Sequence, residues 1–194
     1  MKDIIELSKD LQNKAWVVIK DAKIIEAWTS IGAEVNLVGS LQTGLLIKHL
    51  DIDFHIYTSP FIHKDSFKAI SIIAESPSVK RIKYVNLLDT EKCLEWHAWY
   101  EAIEGALWQI DMIHLLYESP FAGKVEHVSE RISQVLTDET RRAILSIKNA
   151  VPDGQSVKGI EVNMAVIRDG VRTYDEFLDW KKGRHGEEIV KWEP

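Results

Sequence analysis

Hydrophobic residues recur at helical spacing over the first 30 positions of the chain. Ile4, Leu7, Leu11, Trp16, Ile19, Ile24 and Trp28 follow one another at mostly three- to five-residue steps, with Lys, Asp and Glu between them, and Gly32 closes the segment. The period then shortens. Val35-Asn36-Leu37-Val38 is a brief apolar run with the look of a strand, and it stops at Gly39-Ser40. Leu41 to His49 reads as one short helix with Leu45, Leu46 and Leu50 on its apolar side. Asp51-Ile52-Asp53-Phe54-His55-Ile56-Tyr57 alternates polar and apolar residues, the period of a strand with one polar face. Ser59-Pro60 closes it. Asp65 to Glu75 returns to helical spacing, with Phe67, Ile70, Ile73 and Ala74 inward and Pro77 as the stop.

Three β-branched and aromatic stretches follow, Arg81 to Leu88, Leu94 to Ile103 and Leu107 to Leu116. Gly105 sits between the last two and predicts an antiparallel hairpin. After Ser119-Pro120 the pattern is helical. Val125 to Ala150 divides at Thr137-Asp138-Glu139, an N-cap followed by an acidic first turn. Pro152-Asp153-Gly154 is a turn, and Gly159 to Arg168 is a short helix. Thr173-Tyr174-Asp175-Glu176 is a capping box that opens a last helix to Lys182, with Gly183 and Gly186 ending it. The pattern predicts an α+β protein: a mixed α/β core over 1–122 and a helical annex over 123–194.

Composition narrows the picture. The chain has 194 residues and a formal charge of 24 minus 30, or −6, with 45% hydrophobic positions. A globular chain of this length buries enough surface to fold without staples. The single cysteine, Cys93, excludes an internal disulfide and any zinc site that needs two cysteines, and it fits a reducing cytoplasm. The N-terminus lacks the apolar core of a signal peptide, and runs such as Ala15 to Ile19 fall far short of the ~20 residues a membrane span needs. The expectation is a cytoplasmic protein with no membrane partner. The acidic balance argues against a polynucleotide partner, although a basic patch can sit on an acidic protein.

The candidate chemistry lies between residues 35 and 57. Asp51 and Asp53 are two apart on a strand and project from one face. Carboxylates that close repel each other unless a cation lies between them, and hard oxygen ligands suit Mg²⁺ or Mn²⁺ with substrate phosphates completing the shell. Gly39-Ser40 ends one strand and opens a predicted helix. Glycine lets a phosphate approach the backbone, the hydroxyl donates, and a helix start offers free N–H groups.

Gly39-Ser40, Gly44 and Asp51-Ile52-Asp53-Phe54, at this spacing, resemble the signature of the DNA polymerase beta-like nucleotidyltransferase superfamily, including its minimal and antibiotic-modifying branches. Leu50 and Leu41 depart from it, at places where many members carry a hydroxyl residue and a basic residue or tyrosine. The resemblance implies a nucleotidyltransferase fold, a mixed sheet with flanking helices. It also implies a third carboxylate on a later strand. Asp111, a lone charge in an apolar strand, is the first candidate, and Glu101 is the second. By resemblance, Asp51, Asp53 and Asp111 would be the catalytic metal ligands for Mg²⁺ or Mn²⁺, and Gly39 and Ser40 would bind the NTP. The implied reaction transfers a nucleoside monophosphate from the NTP to a hydroxyl of a small molecule or protein. A homodimer is among the expected assemblies. A non-catalytic, partner-binding module of the antitoxin type is the alternative, and a Mn²⁺-dependent glycosyltransferase is a third reading of the Asp-x-Asp pair.

Other residues have plainer readings. His55 shares the face of Asp51 and Asp53 and either reaches a phosphate or fills the sheet surface. His97 and His114 fall on adjacent strands with no facing defined. Trp96, Trp99 and Trp108 read as core, or as a pocket floor. Lys181, Lys182 and Arg184 form a basic helix end that favours the helix dipole.

Overall fold

The alternating stretch becomes the strand that organises the sheet. β2 (Asp51–Tyr57) lies antiparallel to β1 (Glu34–Val38) on one side. On its other side it runs parallel to β5 (Leu107–Leu115). β4 (Cys93–Glu101) and β3 (Val79–Leu87) continue the sheet antiparallel, in the order β1-β2-β5-β4-β3. The computed structural model describes residues 2–183 and 192–194. Arg184 and Gly186, expected at the end of the last helix, lie outside the described residues.

Because strand side chains alternate, this sheet has an apolar back and a polar front. Ile52, Phe54, Ile56, Ile110, Met112, Leu94, Trp96 and Ala98 are buried on the back. They pack against α1 (Ile4–Asp21), α2 (Ile24–Thr29) and α4 (His63–Ala74) through Ala15, Val18, Trp28, Ala69 and Ile73. The expected hairpin is present as β4 and β5, with Gly105 at φ +81° in its turn.

Two expected helices differ. The first helical stretch breaks at Lys23, whose φ of 53° is left-handed, so α1 and α2 are separate. The helix expected from Leu41 to His49 is reduced to one turn, α3 (Gly39–Gln42). Leu45, Leu46 and Ile47 are all buried, and three consecutive residues cannot share one helix face. Leu46 packs with the back of the sheet, whereas Leu45 and Ile47 pack with the C-terminal helices. The carbonyls there bond elsewhere too: Arg141 donates to those of Thr43 and Gly44, and Lys148 to that of Leu45.

Among the described residues four helices follow the sheet: α5 (Lys124–Val135), α6 (Asp138–Ala150), α7 (Gly159–Ile167) and α8 (Tyr174–Lys182). Thr137 and Thr173 cap α6 and α8 through capping boxes. Ile144, Leu145, Ile147, Val162, Met164 and Phe177 form their shared core, with Ile4 and Ile5 of α1 packed against it. Among the described residues no helix is long and apolar enough to cross a membrane.

Candidate active site

The site lies where β1 turns into α3, against the front of β2 and β5. Gly39 has φ +69°, and a Cβ there would collide with Asp53 Oδ2. Glycine is therefore required on two counts, the backbone angle and the close approach of a carboxylate. Ser40 follows in the single turn of α3. So short a helix adds little dipole, and the grip expected of a helix start reduces to the Ser40 hydroxyl and local N–H groups.

Parallel pairing of β2 with β5 sets Asp53 directly beside Asp111, and Asp51 beside Gln109. Asp51, Asp53 and Asp111 thus share one face. Burial pushes the Asp53 carboxyl up to about 7, and the charges of Asp111 and Asp51 push the same way. Asp51 is also raised, first by burial and then by Asp111. Asp111 is held from its other side: His97 Nδ1 lies 2.7 Å from Oδ1, and Gln109 Nε2 donates to both oxygens at 3.0 and 3.1 Å. Glu101 stands at the end of β4 opposite Leu107, ion-paired with Lys80 at 3.3 Å, so Asp111 is the carboxylate beside Asp53.

A cleft of about 750 Å³ opens over these residues. Its floor is Gly39, Ser40, Asp51, Asp53 and Asp111, and its walls come from Val125 and Ser129 of α5 and Asn163 of α7. Buried Lys148 of α6 reaches this floor from below. Its Nζ donates to Ser40 Oγ at 2.9 Å and to the Leu45 carbonyl at 2.8 Å. Burial lowers its pKa to about 8, although Asp51 and Asp53 favour its charge.

No known family profile matches the sequence, and no curated protein is significantly similar to it. Solved structures do match. The Cid1 poly(U) polymerase with MgGTP bound aligns at a TM-score of 0.53 and 15% identity, over 74% of this chain and 46% of that one. Its Mg 3'-dATP-bound form aligns at 0.52 and 16% identity, over 72% and 41%. A further Cid1 poly(U) polymerase crystal structure aligns at 0.50 and 14% identity, over 84% and 53%. The fold is that of the polymerase beta-like nucleotidyltransferases. At this identity the likeness is one of fold, and the chain spans about half the length of these polymerases.

The motif resemblance of Gly39-Ser40 and Asp51-Ile52-Asp53 implies a divalent metal, and the donor set can be tested against it. Among the described residues no three His, Cys, Asp or Glu side chains form a ready-made metal centre, and Asp111 is turned toward His97 and Gln109. The chemistry of the donors nevertheless fits. Three hard oxygen donors face one cleft, Asp53 is under-compensated there, and Gly39 leaves the space beside it that a Cβ would fill.

The remaining sequence candidates separate by face. His55 Nδ1 lies 3.0 Å from Glu126 Oε1, and Tyr57 OH donates to the same oxygen at 2.7 Å, so His55 ties β2 to α5. His114 faces the back, between Thr58 and Ser66, and burial lowers its pKa to about 4. Cys93 is buried and its thiol is pushed up to about 11 by burial, which keeps it unreactive. Trp96 and Trp108 are core, while Trp99 is on the front.

Two site residues, Lys148 and Gln109, are not singled out by the sequence, and His97 is named there without its partner Asp111. Lys148 carries a usable signal. It sits four residues after Ile144 and one after Ile147, on the apolar side of an amphipathic helix, where an unpaired ammonium is costly. His97 and Gln109 have no comparable signature, since their bonds to Asp111 depend on strand register.

Proposed function

We propose that this protein is a metal-dependent nucleotidyltransferase that moves a nucleoside monophosphate from an NTP to a hydroxyl of a small molecule or protein. The observation that carries the reading is the parallel β2–β5 register. It lines up Asp53 with Asp111, beside Asp51 and the Gly39-Ser40 turn, under one cleft. The nucleotidyltransferase fold and its neighbours, solved with MgGTP and Mg 3'-dATP, support Mg²⁺ and an NTP as the expected ligands.

Asp51, Asp53 and Asp111 would hold the metal, which when bound supplies Lewis-acid stabilisation of the entering and leaving oxygens. Ser40 donates to the triphosphate tail. Lys148, already aimed at Ser40, adds positive charge at the same place. Asp111 lies on the side of the cleft facing β4 and orients the acceptor hydroxyl. That oxygen bonds to the α-phosphorus, the bond to the β-phosphate oxygen breaks, pyrophosphate leaves, and the hydroxyl proton passes to solvent. His97 and Gln109 hold Asp111 in its rotamer.

The non-catalytic alternative has one observation in its favour: both oxygens of Asp111 are engaged within the protein. Incubation with Mg²⁺ and α-labelled NTPs separates the two readings. The nucleotidyltransferase reading expects Mg²⁺-dependent release of pyrophosphate with a hydroxyl acceptor present, lost in Asp111→Asn although NTP binding persists. Absence of both binding and release with all four NTPs contradicts it.

A further inference from the structure

The polar front of the sheet continues past Asp111 onto β4 and β3. There the register contains an irregularity with a consequence. Val79 opposes Tyr100, but the next pair is Arg81 with Trp99, so Lys80 is an extra residue in a β-bulge. Val79 and Tyr100 belong to the apolar back. In a regular ladder Arg81 would oppose Ala98 and face that back as well. The bulge moves Arg81 and Lys83 to the front, in line with the site. Arg81 shares a row with Trp99, Gln109 and Asp51, and Lys83 shares one with His97, Asp111 and Asp53.

The two cations are in a particular state. The Arg81 guanidinium carbon lies 3.4 Å from the centroid of the Trp99 ring. Stacking on an indole fixes the plane of a guanidinium and leaves its N–H edges free. Among the described residues neither the Arg81 nor the Lys83 side chain forms a hydrogen bond or an ion pair. The nearby acids have other partners: Glu101 pairs with Lys80 at 3.3 Å, and Glu95 lies 3.4 Å from His97. Two uncompensated cations, one of them pre-oriented, thus stand two strands from Asp111, or about 10 Å.

We propose that Arg81, Lys83 and Trp99 form an acceptor subsite for a phosphate group, so that the acceptor is a hydroxyl compound that carries a phosphate. The proposal rests on the nucleotidyltransferase reading of the same site and adds a phosphate to the chemistry of its acceptor. Arg81 offers two parallel N–H donors to phosphate oxygens, and Lys83 adds a point charge on the row of Asp111. The formal charge of −6 does not oppose an anionic acceptor, because these cations are segregated from the carboxylates along the rows of the sheet. A sugar phosphate and the phosphodiester before a 3'-terminal hydroxyl present the same phosphate chemistry, and the experiment separates the two sources.

Calorimetric titration of the whole chain, with Mg²⁺ and a non-hydrolysable NTP present, distinguishes these. The probes are ribose 5-phosphate against ribose, and a trinucleotide against its uncharged methylphosphonate analogue. At least one phosphate-bearing probe is expected to bind about tenfold tighter than its uncharged counterpart. The double variant Arg81→Gln, Lys83→Gln should abolish that difference while Mg-NTP affinity and melting temperature stay near the parent's. Trp99→Leu, which keeps both charges, should lose part of it. A preference confined to ribose 5-phosphate marks a small phosphorylated acceptor, and one confined to the trinucleotide marks a polynucleotide end. Equal binding of charged and uncharged probes, or a preference that survives in the double variant, overturns the subsite. A parent that binds no Mg-NTP overturns the nucleotidyltransferase reading and this one with it.

Discussion

Three influences oppose the charge of Asp53: burial, Asp111 and Asp51. Its pKa of about 7 in the folded chain stands above the 3.8 of a free side chain. The folded state therefore holds its proton more tightly, and this one group lowers stability as pH rises from about 4 to about 7. His114 acts oppositely, since its lowered pKa of about 4 adds stability as pH rises toward 6.5. The net curve mixes the two, so the readout is the difference between Asp53→Asn and the parent. Without metal, the variant's melting temperature should exceed the parent's by a margin that grows from pH 5 to pH 8, worth a few kcal/mol at most. A margin that stays flat across that range would mean the carboxyl is not strained. Lys148 belongs to the same balance. Replacing it with Met removes the cation beside Ser40 and should weaken ATP binding tenfold or more, with adenosine affinity nearly unchanged. Ser40→Ala should cost about 1 kcal/mol in ATP affinity with the same selectivity. Equal losses for ATP and adenosine would place both residues away from the phosphates.

At the scale of elements, the β1–α3 turn is constrained twice, by the backbone angle of Gly39 and by the approach of Asp53. Gly39→Ala demands φ +69° of a residue with a Cβ and drives that atom against Asp53 Oδ2. Destabilisation of roughly 2–3 kcal/mol is expected, together with loss of Mg-NTP binding. Asp53→Asn loses binding and gains stability, so thermal melting of the two variants separates a displaced carboxylate from a missing one. These elements also show what was legible in the sequence. Asp51 and Asp53 were readable because period two is a local pattern, and Gly39-Ser40 because a turn between two strands is local too. Asp111 stood out as a charge in an apolar strand, but its place beside Asp53 needs a parallel pairing across the chain. The helix expected from Leu41 to His49 failed because its carbonyls are claimed by Arg141 and Lys148, about a hundred residues away. Lys148 and Ser40 are 108 positions apart, and no window of sequence joins them. The bulge at Lys80 was invisible for the same reason, since only the partner strand defines it.

Across the whole molecule, the sheet and the C-terminal helices jointly form the site. The sheet front supplies the carboxylates, α5 and α7 wall the cleft, and α6 sends Lys148 to its floor. The core of these helices also takes in Leu45 and Ile47 from the segment after α3, while Leu41 and Leu46 join the core of the sheet, so the Gly39-Ser40 turn is packed on both sides. Such an arrangement predicts that nucleotide binding and stability are linked. Mg-NTP bound across sheet and annex should raise the melting temperature as concentration rises above the dissociation constant. The central claim is that Asp51 and Asp53 bind a nucleoside triphosphate through a divalent cation, and one measurement meets it directly: titration of NTP into the intact chain with Mg²⁺ and with EDTA, for the parent and for Asp51→Asn and Asp53→Asn. Saturable NTP binding is expected for the parent with Mg²⁺ and not with EDTA, and its loss in both variants, each still folded. Binding that is indifferent to EDTA, or that survives in either variant, would contradict it.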